Sequence, residues 1–160
     1  MCWNAFRKLF NPKTVSGALW DHFRVRPNDI LRVLQIQNQF SSMLDVMVSD
    51  KIQFMCRDNS DPNCRGFYGF SDNCSSTTPI HITLCGWYVF ATMGGSSFLG
   101  DPRWLQTLIH EYAHAGCTTL GAILPAGSEF YASRGGYPPS DPDVAIKNAD
   151  SYANFALAVK

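Results

Sequence analysis

The chain has 160 residues, of which 46% are hydrophobic and 16% are charged, and thirteen basic residues balance thirteen acidic ones. This length suits a single domain, and the composition is typical of a compact globular protein rather than a disordered chain. Without a basic stripe or a run of like charges, the sequence does not predict a nucleic-acid partner. No stretch approaches the roughly 20 apolar residues of a membrane-spanning helix, so no membrane partner is expected.

The first 50 residues are predicted to form a helical N-terminal part. A short helix is expected at residues 14–23, and Asn28 can cap a longer helix that extends to about Val48. Apolar side chains recur along this longer segment at the spacing of one helical face. They are Ile30, Val33, Leu34, Phe40 and Leu44.

A small sheet is predicted in the middle of the chain. Residues 51–56 and 80–85 alternate polar and apolar side chains in the manner of half-buried strands. The segment between them is rich in turn residues, such as Asp61-Pro62-Asn63. One more short strand is expected around the aromatic residues of this segment, Phe67, Tyr68 and Phe70.

Two Asp-Pro pairs predict helix starts, because aspartate caps free amides and proline suits the first helical position. The pair Asp101-Pro102 opens a helix that extends to about Cys117. The pair Asp141-Pro142 opens the last helix, which extends to about Val159. Together these elements predict one compact α+β domain, mainly helical with a small sheet.

Six cysteines, an even number, indicate a disulfide framework formed in an oxidising compartment, with buried free thiols as the alternative for some of them. They are Cys2, Cys56, Cys64, Cys74, Cys85 and Cys117. No secretory signal peptide is visible, because Arg7 and Lys8 are followed by a break at Asn11-Pro12 rather than by an apolar core. We therefore expect a protein that is secreted or delivered outside the producing cell by a signal that is removed or lies elsewhere.

The motif that carries chemistry is His110-Glu111-Tyr112-Ala113-His114, in the helix after Asp101. Histidines four residues apart lie one turn apart on the same helix face, so both imidazoles can bind one ion. Zn²⁺ accepts neutral imidazole as a ligand and lowers the pKa of bound water. Glu111 follows the first histidine and is expected to act as the general base. Two surface histidines that flank an incidental glutamate are the alternative.

A catalytic zinc site needs a third protein ligand, and no histidine follows His114 closely. A downstream carboxylate is therefore expected. Glu129 is the first acid after the motif and, apart from Glu111, the only glutamate among the thirteen acidic residues. The competing carboxylates are Asp141, Asp143 and Asp150. Asp141 is better placed as a helix cap, and Asp150 lies within a helix. Glu129 is therefore the preferred third ligand, and an ordinary acid in a loop is the alternative for it.

Three segments follow one another in a distinctive order. They are Ile82-Thr83-Leu84-Cys85, then Thr107-Leu108-Ile109 with the histidine motif, then residues 141–152 with the string Asn148-Ala149-Asp150-Ser151-Tyr152. Together they resemble the deuterolysin and peptidyl-Lys metalloendopeptidase group, the aspzincins. The resemblance covers about two-thirds of the chain, roughly residues 51–159. It implies that residues 51–160 form a zincin-like catalytic region behind the helical part at residues 1–50.

The resemblance also implies individual roles. His110 and His114 match the zinc ligands of the family, and Glu111 matches its catalytic base. Asp150 matches a position that helps to form a substrate pocket for lysine, and a buried structural acid is the alternative role. Ala153 stands where lysine-specific members have another acid, which argues against strict lysine specificity.

In the family, one motif supplies an aspartate ligand and a tyrosine that stabilises the oxyanion of the transition state. Its counterpart here is Gly127-Ser128-Glu129-Phe130-Tyr131, in which glutamate replaces the aspartate and the tyrosine spacing differs by one residue. The resemblance therefore implies that Glu129 is the third ligand. The oxyanion role is expected of Tyr131, with Tyr137 behind it, and the alternative is that both tyrosines only pack.

The sequence thus predicts a zinc-dependent metalloendopeptidase that hydrolyses internal bonds of a protein or peptide substrate, with Zn²⁺ as its cofactor. If it is a secreted or delivered effector or toxin, we expect a cognate inhibitor or immunity protein among its partners. The alternative is a zinc-binding but inactive peptidase-like module that serves in protein interactions.

Overall fold

The computed structural model describes residues 1–71, 79–86, 102–116, 123–125, 128–133 and 135–159. Within these ranges the chain forms α-helices and a three-stranded sheet, which confirms the expected α+β class. The helices are α1 (Cys2–Lys8), α2 (Ser16–Phe23), α3 (Ile30–Met47), α4 (Pro102–Ala115), α5 (Pro142–Ala145) and α6 (Ala149–Ala158); the strands are β1 (Ile52–Arg57), β2 (Gly69–Ser71) and β3 (Ile80–Cys85). None of the described helices combines the length and hydropathy needed to cross a bilayer.

The long N-terminal helix is present as α3, but its cap and its buried face differ from the prediction. Asp29, rather than Asn28, caps the helix by accepting a hydrogen bond from the backbone N–H of Arg32 at 3.3 Å. Ile30 and Leu34, expected to face inward, are 58% and 47% exposed. The buried side chains are Val33, Ile36, Gln39, Phe40 and Met43. The helix is rotated in this way because α1 and α4 both pack against it.

The sheet has the strand order β1–β3–β2, so β3 is central and β2 lies at an edge. β1 pairs with β3 in parallel, with Phe54 beside Ile82, and β2 pairs with β3 antiparallel, with Phe70 beside Thr83. The strands predicted from the sequence are confirmed, with β1 shifted by one residue. β2 also contacts α4, which places this edge strand beside the histidine motif.

The prediction of a single C-terminal helix after Asp141-Pro142 is wrong, because two helices occupy this segment. Asp141 caps α5 as expected and accepts a hydrogen bond from the backbone N–H of Asp143 at 2.9 Å. Asn148 then adopts an extended backbone (φ −97°, ψ 119°) before α6 begins. Its side chain bonds the backbone N–H and carbonyl of Phe130, at 2.9 and 3.0 Å. These tertiary hydrogen bonds replace the continuation of the helix.

An aromatic cluster fixes α6 in the core. Phe23 of α2 and Phe40 of α3 both contact Tyr152 and Phe155 of α6, with ring centroids 5.0–5.8 Å apart. All four side chains are fully buried, and burial of a phenylalanine side chain stabilises a fold by about 1.5–3 kcal/mol. The N-terminal turn of α6 therefore has a well-defined position next to α4, against which α6 packs.

A buried amide fixes the C-terminal end of α4. Gln39 of α3 donates from Nε2 to the carbonyls of Ala113 at 2.8 Å and Gly116 at 3.2 Å. The last carbonyls of a helix lack intrahelical partners, so this side chain satisfies groups that would otherwise be buried unpaired. The predicted N-cap, Asp101, and the predicted end, Cys117, lie outside the described residues.

The described cysteines are only partly paired. Cys64 and Cys85 form a disulfide with their Cα atoms 5.4 Å apart, which ties the turn before β2 to the end of β3. Cys2 is a buried free thiol and Cys56 an exposed one. Of the expected disulfide framework, the described cysteines form one bridge. Cys74 and Cys117 lie outside the described residues.

Candidate metal centre

His110 and His114 lie one turn apart on α4, and both are buried, with 8% and 6% of their surface exposed. Their Nε2 atoms are 3.2 Å apart. The helix positions them because Ile109 and Ala113, one residue before each histidine, are buried in the core. The histidines therefore occupy the adjacent stripe of α4, where residues 128–133 meet the helix.

The structure brings Glu129 to both histidines, at the position expected of a third ligand. Its Oε2 lies 3.4 Å from Nε2 of His110, and its Oε1 lies 3.3 Å from Nε2 of His114. A tetrahedral zinc ion with bonds of about 2.0–2.1 Å requires ligand atoms about 3.3–3.4 Å from one another. Each histidine faces a different oxygen of Glu129, and one donor atom from each of the three residues lies within 4.8 Å of the others, so the three side chains could hold one metal ion.

The charges of this cluster favour a cation between its members. Burial lowers the pKa of His110, but hydrogen bonds with Asp150 and Glu129 outweigh this and hold the pKa well above its usual value. Burial raises the pKa of Glu129, but its hydrogen bonds with His110 and His114 bring that pKa well below its usual value. A divalent cation would satisfy the same preference, and two imidazoles with a carboxylate form a donor set that zinc accepts.

Asp150 fixes the orientation of His110. Oδ1 of Asp150 lies 2.8 Å from Nδ1 of His110. Because a carboxylate accepts hydrogen bonds, His110 donates from Nδ1 to Asp150, and its Nε2 faces the cluster. The other carboxylate oxygen, Oδ2, accepts a hydrogen bond from the backbone N–H of Ala132 at 2.7 Å. Both oxygens of this buried carboxylate thus have protein partners, and its contact with a substrate stays a prediction.

The N-terminal turn of α6 holds the segment that carries Glu129. The backbone N–H of Ala149 donates to Oε1 of Glu129 at 3.3 Å. On either side of it, Asn148 bonds the backbone of Phe130 and Asp150 bonds that of Ala132. This role of Asn148 was not predicted from the sequence. The sequence did contain a feature that could have indicated a role. Asn148 lies inside a long predicted helix, where asparagine is unfavourable.

Glu111 is buried beside the two histidines, with 3% of its surface exposed. Its Oε2 has no hydrogen-bond partner among the described residues. Burial raises the pKa of Glu111, and the neighbouring His110 and His114 lower it in part. A buried carboxylate oxygen without a partner is costly to the fold, so such a group is a candidate for a functional role.

Gly69 of β2 gives Glu111 its room. A Cβ atom at Gly69 would lie 3.4 Å from Oε1 of Glu111 and 2.9 Å from the carbonyl oxygen of Thr83. The next residue but one, Ser71, donates from Oγ to the backbone carbonyl of Glu111 at 3.2 Å. The edge strand therefore needs glycine at this point, a requirement that the sequence alone did not reveal.

Tyr131, rather than Tyr137, lies at the cluster. The hydroxyl of Tyr131 donates to Oε2 of Glu129 at 3.1 Å, and its ring stacks on His110 with centroids 5.9 Å apart. The hydroxyl of Tyr137 lies instead 2.9 Å from Nδ1 of His22, and it donates to the backbone carbonyl of Asp150 at 3.4 Å. The oxyanion role of Tyr131 stays a prediction.

The competing carboxylates are used elsewhere. Asp141 caps α5, and Asp143 forms an exposed ion pair with Arg32 at 2.9 Å. Among the described residues, the only group of histidine, cysteine and acidic side chains spaced to hold a metal ion is His110, His114 and Glu129.

A cavity of about 690 Å³ opens onto the cluster. This volume is in the range of ordinary ligand sites. One end is formed by the cluster with Glu111 and Asp150, and another wall comes from the turn before β2 and from β2 itself. The cavity thus connects the candidate metal position with the edge of the sheet.

No protein-family model matches the chain, and no curated protein matches it either. The resemblance to the aspzincins therefore rests on the three segments of the sequence that carry it, and it stays an expectation. What the structure adds is independent of any relative: a buried two-histidine, one-glutamate cluster, a neighbouring buried glutamate and a cavity beside them.

Proposed function

We propose that this chain is a zinc-dependent endopeptidase that hydrolyses internal bonds of a protein or peptide substrate. The observation that carries the proposal is the convergence of His110, His114 and Glu129, with separations of 3.2–3.4 Å, next to the buried carboxylate of Glu111. Three protein ligands leave a fourth position open, which is the pattern of catalytic rather than structural zinc sites. The adjoining cavity provides space for a substrate.

The chain's own groups would supply the proton transfers. When bound, Zn²⁺ polarises a carbonyl group and lowers the pKa of water. Glu111 would take the proton of the attacking water and pass it to the leaving amine, a role that is supported by its buried Oε2, which has no partner among the described residues. We propose that Tyr131, whose hydroxyl lies at the cluster and bonds Glu129, donates to the oxyanion that develops on the substrate.

We assign the enzyme to an aspzincin-like group with a zincin-like fold. The segments at residues 82–85, 107–114 and 141–152 support this assignment. A small sheet whose edge strand contacts the helix with the histidine motif supports it too. Glu129 is the main departure, since the family uses aspartate at this position. The longer glutamate reaches both histidines from a segment that α6 holds in place.

We also propose that the enzyme works in an oxidising compartment outside the producing cell, where it is secreted or delivered as an effector or toxin. The disulfide between Cys64 and Cys85 supports this location, because such bonds persist mainly in oxidising environments. Growth of a bacterial host that directs the wild type or Glu111→Gln to its periplasm tests the toxin part. Growth arrest with the wild type alone supports it and would justify a search for an immunity protein; equal growth contradicts it.

The experiment that tests the peptidase is cleavage of an unfolded protein by zinc-loaded wild type and Glu111→Gln. We expect cleavage by the wild type only, with zinc still bound at one equivalent in the variant, because Glu111 is not among the three ligands. Asp45→Asn, which removes an exposed carboxylate on α3, is the matched control and should cleave normally. Equal cleavage by wild type and Glu111→Gln would contradict the role of Glu111.

The same experiment separates the alternative function. If both proteins bind one zinc ion and neither cleaves unfolded substrates of varied sequence, the chain is a zinc-binding module without peptidase activity. If neither binds zinc, the three-residue cluster has been assigned wrongly.

A further inference from the structure

The outer face of α1 carries aromatic side chains that the described part of the chain does not cover. Trp3 and Phe10 are 56% and 70% exposed, and Phe6 between them is half-buried. Ring centroids are 5.8 Å apart for Trp3 and Phe6, and 5.2 Å apart for Phe6 and Phe10. Residues three and four positions apart lie on one side of a helix, so these rings form a continuous aromatic strip along α1 and the turn that follows it.

The opposite face of α1 supplies the contacts that hold this helix to the core. Cys2, Ala5 and Leu9 are buried there. Nζ of Lys8 donates to the backbone carbonyl of Val159, which ties α1 to the end of α6. A helix on a protein surface ordinarily combines one apolar face with one polar face. Because α1 is apolar on both faces, packing within the described chain does not explain the exposed part of the aromatic strip, which indicates an interaction surface.

The charges around the aromatic strip are of one sign. Arg7, four residues after Trp3, lies on the same side of α1, and Lys13 lies just beyond Phe10. Both basic side chains are exposed, and neither forms an ion pair with a described residue. The first acid in the chain is Asp21, so residues 1–20 contain no carboxylate side chain. The strip therefore combines apolar rings with positive charge.

We propose that this face of the protein binds an anionic lipid surface, with the aromatic strip at the interface and Arg7 and Lys13 next to the lipid head groups. Aromatic side chains are favoured at the boundary between head groups and acyl chains, and basic residues beside them are attracted to anionic lipid. A spanning segment is not required, because a helix that lies in the plane of the surface inserts only its apolar side. The proposal is independent of the metal cluster and of the peptidase activity.

Charge favours this occupant over a second copy of the chain. In a symmetric dimer the same patch meets itself, so Arg7 and Lys13 of one copy would face the same cations of the other. The segment that carries the strip has no acid to pair with them, and like charges brought together in this way weaken association. Anionic head groups supply the opposite charge instead.

Co-sedimentation of the full chain with vesicles tests the proposal. The vesicles contain either phosphatidylcholine alone or equal parts of phosphatidylcholine and phosphatidylglycerol. We expect the affinity for the anionic vesicles to be about tenfold higher or more, and to fall as salt is added, because salt screens the attraction of Arg7 and Lys13. Equal binding to both kinds of vesicle, or binding to neither, overturns the proposal.

Substitutions in the aromatic strip test the part played by the rings. Trp3→Ser and Phe10→Ser change exposed side chains, so the variants should fold and should bind anionic vesicles about tenfold more weakly. Tyr68→Ser is the matched control, because Tyr68 is a 49% exposed ring that lines the cavity at the metal cluster rather than the strip. Unchanged binding by a folded strip variant, or an equal loss of binding in the control, overturns the proposal.

A second pair of variants tests the part played by the cations. Arg7→Gln with Lys13→Gln should lose most of the preference for anionic over neutral vesicles. Lys51→Gln with Arg65→Gln, which removes two exposed cations elsewhere and changes the net charge equally, should keep it. The same preference in both double variants would mean that only the net charge matters, and overturns the proposal.

Two further measurements separate this proposal from its alternatives. Glu111→Gln should bind anionic vesicles as the wild type does, so a failure of the proposed peptidase and a failure of lipid binding are distinguishable. Analytical ultracentrifugation should show a monomer in the absence of lipid. A dimer that Trp3→Ser dissociates would show that a second copy covers the strip, and overturns the proposal.

Discussion

Asp150 and His110 are joined by a 2.8 Å hydrogen bond between Oδ1 and Nδ1, although 40 residues separate them in the chain. The contact links the first turn of α6 to the face of α4 that carries His110 and His114. Because Asp150 also bonds the backbone N–H of Ala132 at 2.7 Å, one carboxylate contacts both His110 and the segment that carries Glu129. Carboxylates that orient a metal-binding histidine in this way raise its metal affinity.

Replacement of this carboxylate should weaken zinc binding. In Asp150→Asn, the side-chain amide can accept from only one of His110 and Ala132, so one of the two hydrogen bonds is lost. We expect the zinc affinity to fall by about 10–100-fold. Competition with a chromophoric chelator measures this change. Asp143→Asn, which removes an exposed acid bonded to Arg32, is the control; an Asp150→Asn affinity equal to that of this control would contradict the positioning role.

Gly69 should not tolerate a side chain. In Gly69→Ala, the new Cβ would lie 2.9 Å from the carbonyl oxygen of Thr83 and 3.4 Å from Oε1 of Glu111. We expect a loss of about 1–3 kcal/mol in the free energy of unfolding and reduced cleavage, because Glu111 must shift. Gly17→Ala in α2 is the matched control, since its Cβ meets no atom within 4 Å and should be neutral or stabilising. Urea unfolding of both variants measures the difference, and a Gly69→Ala protein as stable as Gly17→Ala would show that β2 is positioned wrongly.

The local elements could be predicted because their signals are local. Proline at the start of α4 and the four-residue spacing of His110 and His114 are enough to place two ligands on one helix face. Glu129 could be chosen as the candidate third ligand because it is the first acid after the histidine motif. The break before α6 could not be predicted from the sequence. It depends on hydrogen bonds between Asn148 and Phe130, which are 18 residues apart, and these bonds compete with the helix.

The rotation of α3 shows the same limit. Its apolar spacing allows more than one inward face, and the choice is made by packing against α1 and α4 and by the hydrogen bonds of Gln39 to Ala113 and Gly116. A buried glutamine is not what an apolar pattern predicts. The contact of Asp150 with His110 is likewise tertiary, so the sequence could place Asp150 in a helix but could not identify its partner.

His22 should make the protein less stable at acidic pH. Burial lowers its pKa below the usual value, and its Nδ1 lies 2.9 Å from the hydroxyl of Tyr137. The folded state therefore favours neutral His22, and its contribution to stability is complete above the unfolded-state pKa of about 6.5. As the pH falls below that value, the unfolded chain binds the proton first and the free energy of unfolding decreases.

His22→Gln should reduce this pH dependence. Urea unfolding at pH 7.5 and pH 5, with a chelator present so that metal release does not contribute, measures the free energies of the two proteins. The decrease on acidification should be smaller in the variant than in the wild type. Equal decreases would exclude His22 as a source of the pH dependence.

The described cysteines should differ sharply in reactivity. Burial raises the pKa of Cys2 to about 11, whereas Cys56 is exposed. Because the thiolate is the reactive form, iodoacetamide at pH 8 should label Cys56 in the folded protein and leave Cys2 unlabelled until the chain is unfolded. Cys64 and Cys85 should be labelled only after reduction. Peptide mass mapping gives the result, and rapid labelling of Cys2 in the folded protein would contradict the burial of this side chain at the start of α1.

A single zinc ion held by His110, His114 and Glu129 is the basis of the proposed activity, and X-ray absorption at the zinc edge measures it directly. The protein loaded with one equivalent of zinc should show two imidazole nitrogens at about 2.0–2.1 Å and oxygen ligands at about 2.0–2.2 Å. Glu129→Gln should lose metal affinity and alter the oxygen shell. A sulfur ligand at about 2.3 Å, which would place the ion on a cysteine, or a spectrum without imidazole would contradict the assignment.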